Sequence, residues 1–179
     1  LSLHDALPIF GLITYAGGDW DDTLQPVDPA MKESLVSSWT VALAYQTLNN
    51  LSQVLQSYDA TFSSLLLERA QKIHSDFSPL LIKDGVIAGF ARHENEEFHY
   101  MLHPSDKETG IQYRLLPMTR SIIAELVDPV QAEKNMDIIQ KELKCPDGVR
   151  LMNKPASYNG GVSKLFKRAE QSANVGREI

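Results

Sequence analysis

"DPAMKESLVSSWTVALAYQTLNNLSQVLQS", residues 28–57, decides what kind of fold this chain builds. Asp28 stands where an N-cap belongs and Pro29 at a first helical position, so the stretch opens as a helix. No charged residue lies between Glu33 and Asp59. Leu35, Val36, Trp39, Ala42 and Leu43 make one apolar face, and Val41, Ala44, Leu48, Leu51 and Leu55 make another. Serine, threonine, asparagine and glutamine fill the gaps, which excludes a membrane span. A helix apolar on more than one side is expected to be surrounded by protein.

The segments that follow are amphipathic. Asp59 caps a stretch in which Phe62, Leu66, Ala70, Ile73 and Phe77 recur at helical spacing. Residues 114–127, "RLLPMTRSIIAELV", read as an apolar helix. In "DPVQAEKNMDIIQKELKCPDG", residues 128–148, Asp128 caps, Pro129 starts, Gln131 completes a capping box, and Pro146 and Gly148 stop the helix. Its stripe is Ala132, Met136, Ile139 and Leu143. Sheltered helices alternate with half-exposed ones, as two concentric helical layers require. One interruption is β: "LLIKDGVIAGF", residues 80–90, joins two apolar runs through Asp84-Gly85, a strong hairpin signal. The next stretch, "ARHENEEFHYMLHPSDKETG", reads as a long polar loop. The expected fold class is all-α with a small β-hairpin.

Composition narrows the function classes. The chain has 179 residues, 43% hydrophobic and 22% charged, enough for one globular core. A net charge of −6, with no run of lysine and arginine, argues against nucleic acid as a partner. No stretch is long and apolar enough for a membrane partner. The single cysteine, Cys145, excludes an internal disulfide and fits a reducing compartment.

Before the long helix lies "GGDWDDTLQP", residues 17–26, with three carboxylates around one indole. The plainest reading is a capped loop. A calcium loop fails on spacing, because an EF-hand starting at Asp19 would put Leu24 at the glycine position and Ala30 at the glutamate position. An inverting glycosidase needs an acid and a second carboxylate to activate water. A glycoside phosphorylase needs only the acid, since phosphate arrives already anionic, together with cationic or hydrogen-bonding groups for that phosphate. Crowded aspartates favour an acid that keeps its proton, and Trp20 offers a sugar an aromatic neighbour. Spacing does not choose between hydrolysis and phosphorolysis.

"GGDWDDTLQP" followed by "MKESLVSSWTVALAYQTL" resembles the cellobiose and chitobiose phosphorylases, glycoside hydrolase family 94, and the resemblance runs through residues 11–179. The family pattern here is Asp-Trp-Asn/Asp-Asp, with its final Asp the general acid. The resemblance therefore implies Asp22 as catalytic acid and Trp20 bordering the sugar, with Asp19 and Asp21 as substrate-side supports. Arg177 and Glu178 match a basic residue and a glutamate near the cleaved sugar. Asp21 and "TLQP" favour the branch acting on β-1,2-glucooligosaccharides.

The implied activity is a hexosyl transfer: inverting phosphorolysis to α-glucose 1-phosphate, with inorganic phosphate as co-substrate and no metal or organic cofactor. The implied architecture is part of an (α/α)6 barrel of the six-hairpin glycosidase type. Residues 10–179 would be the C-terminal part of that catalytic domain, cut at both ends and inactive alone, after a non-native leader at 1–9. The location expected is cytoplasmic, with a homodimer entertained for the full-length protein. Three alternatives stay open: a cellobiose-type phosphorylase, an inverting hydrolase, and a non-enzymatic helical carbohydrate-binding module.

Other residues carry weaker signals. His93, His99 and His103 lie near Glu94, Glu96 and Glu97, but the HExxH spacing of a metal helix is missing and a solvated or sugar-contacting loop is expected. Arg120, within an apolar helix, is either paired inside or reaches a mouth. Tyr158-Asn159-Gly160-Gly161 reads as a turn, Lys164, Lys167 and Arg168 as a solvated face or a phosphate approach, and Cys145 as structural.

Overall fold

The computed structural model describes residues 9–16, 18–21, 24–154 and 165–167. In chain order the elements are β1 (Gln25–Pro26), α1 (Met31–Ser34), β2 (Leu35–Ser37), α2 (Ser38–Leu55), α3 (Ala60–Leu81), β3 (Ile82–Lys83), β4 (Val86–Ile87), β5 (Phe90–Glu94) and β6 (Glu97–Met101). Then come α4 (Leu115–Ile123), α5 (Pro129–Ile138) with a π-turn at Ile139–Leu143, β7 (Lys144–Cys145), β8 (Gly148–Val149) and β9 (Phe166–Lys167). About half of the described residues are helical, and the strands form small antiparallel sheets.

The long helix expected from Asp28 onward is broken. Leu35–Ser37 leaves the helix to pair with β5, with Leu35 opposite Arg92 and Ser37 opposite Phe90. Leu35 and Val36 suit a strand, and Ser37 then restarts the helix as an N-cap, its hydroxyl accepting from the Thr40 amide at 3.4 Å. The enclosure expected for α2 holds at Val41 and Ala42, which are fully buried. Among the described residues it fails towards the C-terminus, where Leu51 is 40% and Val54 65% exposed.

A second correction concerns residues 91–110. Residues 90–101 form a β5–β6 hairpin rather than a loop, and with β2 they make a three-stranded sheet. Asn95 and Glu96 both adopt positive φ, 49° and 65°, the twist a two-residue hairpin turn needs. The charges sit at the hairpin's outer positions, while Phe98 and Tyr100 alternate towards protein. Charged strands at a sheet edge also resist pairing with other chains.

The local signals hold where they rest on caps and turns. Asp59 accepts from the Phe62 amide at 2.9 Å and starts α3. Leu66, Ala70, Ile73 and Phe77 of its stripe are buried, and Phe62 is not. Asp128 accepts from the Gln131 amide at 2.7 Å, with Pro129 at the first turn of α5. Gln131 does not close a capping box. Its amide instead donates to the Gly85 carbonyl and to Asn135. Ile139 and Leu143 are buried, whereas Met136 is 46% exposed and the fully buried Asn135 takes the inward place. The β3–β4 turn forms at Asp84-Gly85, with φ of 53° and 73°.

Two cores result. Helices α2, α3 and α4 share the larger one around Val41, Ile73, Phe77 and Met118, which Ile9 also joins. The sheet and the segment before α2 share the smaller one, around Tyr15, Leu24, Leu35, Phe90 and Leu102. The seam between them carries the aspartate–tryptophan segment.

Candidate functional site

Residues 19–21 alternate as an extended chain does. The Asp19 side chain has no exposed surface, Asp21 is 7% exposed, and Trp20 between them is 42% exposed. What draws two carboxylates inward is Arg114, immediately before α4. One of its terminal nitrogens donates to Asp19 Oδ2 at 3.2 Å and the other to Asp21 Oδ2 at 3.3 Å. The Arg114 side chain is itself 2% exposed.

The rest of the clamp is built from the neighbouring elements. Ser37 Oγ, at the α2 N-cap, donates to Asp19 Oδ2 at 2.6 Å. The Arg114 guanidinium lies 4.7 Å from the centre of the Phe90 ring on β5, a cation–π contact that covers its apolar side. Tyr15 packs near Phe90, and burial pushes its phenol up to about 12. The carboxylates of Asp19 and Asp21 add to that rise, while Arg114 opposes it. A planar fork sets one terminal nitrogen against each carboxylate in a fixed geometry, which a single ammonium centre does not reproduce.

The aspartates are thus locked below the surface, and the indole is left on it. Trp20 meets Trp39, in the first turn of α2, with ring centres 6.1 Å apart and planes at 59°. Arg120 of α4 holds its guanidinium 6.0 Å from the Trp39 ring and donates to Gln46 Oε1 at 3.0 Å.

Of the residues expected at a site, the structure brings Asp19, Trp20 and Asp21 together. Asp22, Arg177 and Glu178 lie outside the described residues, as do Tyr158 to Gly161, Lys164 and Arg168. Arg114 was not among the expected site residues, although two inward aspartates demand a cation and it is the only charge near the start of an apolar helix. Arg120 proves paired with Gln46 and Trp39 rather than with a carboxylate among the described residues. The histidines spread along the hairpin. His93 pairs with Phe98 and His99 with Arg92, while His103 is buried just beyond β6. The Ser105 amide donates to His103 Nδ1 at 3.1 Å, which leaves Nε2 to donate to the Lys83 carbonyl at 3.0 Å. No helix among the described residues is long and apolar enough to cross a membrane.

No family model matches the chain. It is similar to a protein of Listeria innocua serovar 6a named 1,2-β-oligoglucan phosphorylase, with 50% identity over 173 residues, 94% of this chain. The chain spans 15% of that protein's length. The resemblance carried by "GGDWDDTLQP" and the residues after it is borne out by this relative.

Proposed function

From that likeness as premise, we propose that the chain supplies the acid-bearing part of an inverting phosphorylase of β-1,2-glucooligosaccharides. Phosphate oxygen attacks the anomeric carbon, the glycosidic C–O bond breaks, and the proton of Asp22 passes to the departing sugar oxygen. The products are α-glucose 1-phosphate and a shortened oligomer. This scheme uses no metal or organic cofactor, and it needs no general base because the attacking phosphate is already anionic.

The observation that carries the reading is Arg114 holding Asp19 and Asp21 beneath an exposed Trp20. Asp22 is the residue that follows the clamped Asp21 in the sequence. Asp19, Asp21 and Arg114 are in this reading positioning residues, and Trp20 offers its face to the sugar. Arg177 and Glu178 complete the sugar side. The (α/α)6 barrel belongs to the proposal as well. Apolar side chains left open at Leu51, Val54 and Leu67 are of the kind that a further layer of helices covers.

The test is to incubate the full-length protein with sophorotriose, with and without inorganic phosphate. Glucose 1-phosphate appearing only with phosphate is the expected result. Free glucose without phosphate would assign a hydrolase instead. Asp22→Asn should lower turnover by about 100- to 10,000-fold, the usual worth of a general acid. Unchanged turnover would remove Asp22 from the role.

A further inference from the structure

We propose that Trp39, Arg120 and Gln46 extend Trp20 into a second carbohydrate subsite, a shelf that takes another pyranose unit of the oligomer. The proposal deepens the phosphorylase reading and rests on it for the class of ligand. The shelf is made by two helices, Trp39 and Gln46 from α2 and Arg120 from α4. Because the Trp20 and Trp39 planes meet at 59°, neither ring lies flat on the other. Trp20 is 42% exposed and Trp39 half-buried, so indole surface is open to a ligand.

Arg120 supplies the polar half. A guanidinium carries five N–H donors, and among the described residues Arg120 spends one of them, on Gln46. Among the described residues no carboxylate lies within ion-pair distance of it. A half-buried cation on an apolar helix ordinarily has a counter-charge. A neutral ligand rich in hydroxyls answers this arrangement. Its C–H faces meet indole, and its vicinal hydroxyls accept from the guanidinium fork and the Gln46 amide. Phosphate fits less well, since the Trp39 indole borders the cation.

The experiment uses the full-length protein in an Asp22→Asn background, so that ligands are bound without turnover. Sophorotriose, cellotriose and inorganic phosphate are titrated by calorimetry against Trp39→Ala and Arg120→Met. Each variant should weaken trisaccharide binding about tenfold or more, the worth of a charge-assisted hydrogen bond or a ring contact, with phosphate binding unchanged. Trisaccharide affinity that stays the same in both variants overturns the shelf, and a loss of phosphate affinity instead marks an anion site. Retained shelf-dependent binding of cellotriose but not sophorotriose would keep the shelf and sink the β-1,2 assignment. Should either variant fail to fold, the unaltered protein serves. Saturating trisaccharide should protect Arg120 from an arginine-selective dicarbonyl reagent, and full modification in its presence overturns the proposal.

Discussion

Arg114 and Asp19 meet at 3.2 Å with side chains 2% and 0% exposed, a buried ion pair that joins the start of α4 to the segment before α2. Asp21 shares the same guanidinium, so removing it takes the cation from two carboxylates in a low-dielectric seam. Buried charges that lose their counter-charge cost far more than the pair contributes while intact. Arg114→Met is expected to destabilise the protein by about 3–5 kcal/mol. Arg114→Lys should recover only part of this, because one ammonium cannot address both carboxylates in the geometry of a fork. Denaturant midpoints of the three proteins check the order. A lysine variant as stable as wild type would show that charge alone, without the fork, suffices.

Ser37 serves both partners of this seam at once. Its hydroxyl donates to Asp19 and accepts from the Thr40 amide, so it caps α2 and supports the clamp. Ser37→Ala loses both, with an expected cost of about 1–2 kcal/mol. Ser37→Asp keeps a cap but sets a second carboxylate against Asp19, and should be worse than alanine despite being the better cap in isolation. Thermal unfolding of the two variants side by side distinguishes the cap from the clamp.

Gly89 stands where β4 hands over to β5, and its place is set by close approach. A Cβ there would lie 2.6 Å from Leu102 Cβ and 3.1 Å from Arg114 Cδ. Gly89 also donates to the Leu102 carbonyl and accepts from the Ser38 amide, so the backbone has little room to retreat. Gly89→Ala is expected to cost about 1–3 kcal/mol as overpacking, and to displace Arg114 with it. Its signature is that turnover falls along with stability. Loss of stability with unchanged turnover would place the strain on Leu102 alone.

Features of this fold that depend on neighbours in sequence were legible, and features that depend on distant partners were not. Asp59 and Asp128 cap their helices, and Asp84-Gly85 turns its hairpin, because each signal is complete within four residues. Leu35–Ser37 reads as helix until β5 arrives to claim its backbone hydrogen bonds. Glu94 to Glu97 look like solvent-exposed loop, yet the alternation of Phe98 and Tyr100 was the strand signal that the charges concealed. The aspartate–tryptophan segment was legible as a site candidate from its composition. Its counter-charge, Arg114, was hidden because only the folded chain brings α4 to it.

His103 provides a pH dependence whose sign follows from its burial. Loss of solvent pushes its imidazole below the ordinary 6.5, with the Lys83 charge acting in the same direction. The neutral ring is the folded form, accepting from Ser105 and donating to the Lys83 carbonyl. Below the ordinary value the unfolded chain therefore binds a proton that the folded chain refuses, and stability falls as pH drops. Above it the contribution is fully present. Hydrogen exchange at the Ser105 amide, expressed as opening free energy to remove the chemical pH effect, should show easier opening at pH 5.5 than at pH 7.5. His103→Gln, which cannot titrate, should flatten that dependence even if its baseline is lower. An undiminished slope in the glutamine variant would assign the pH effect to other groups nearby, Asp106 and Asp84 being the carboxylates that act on this ring.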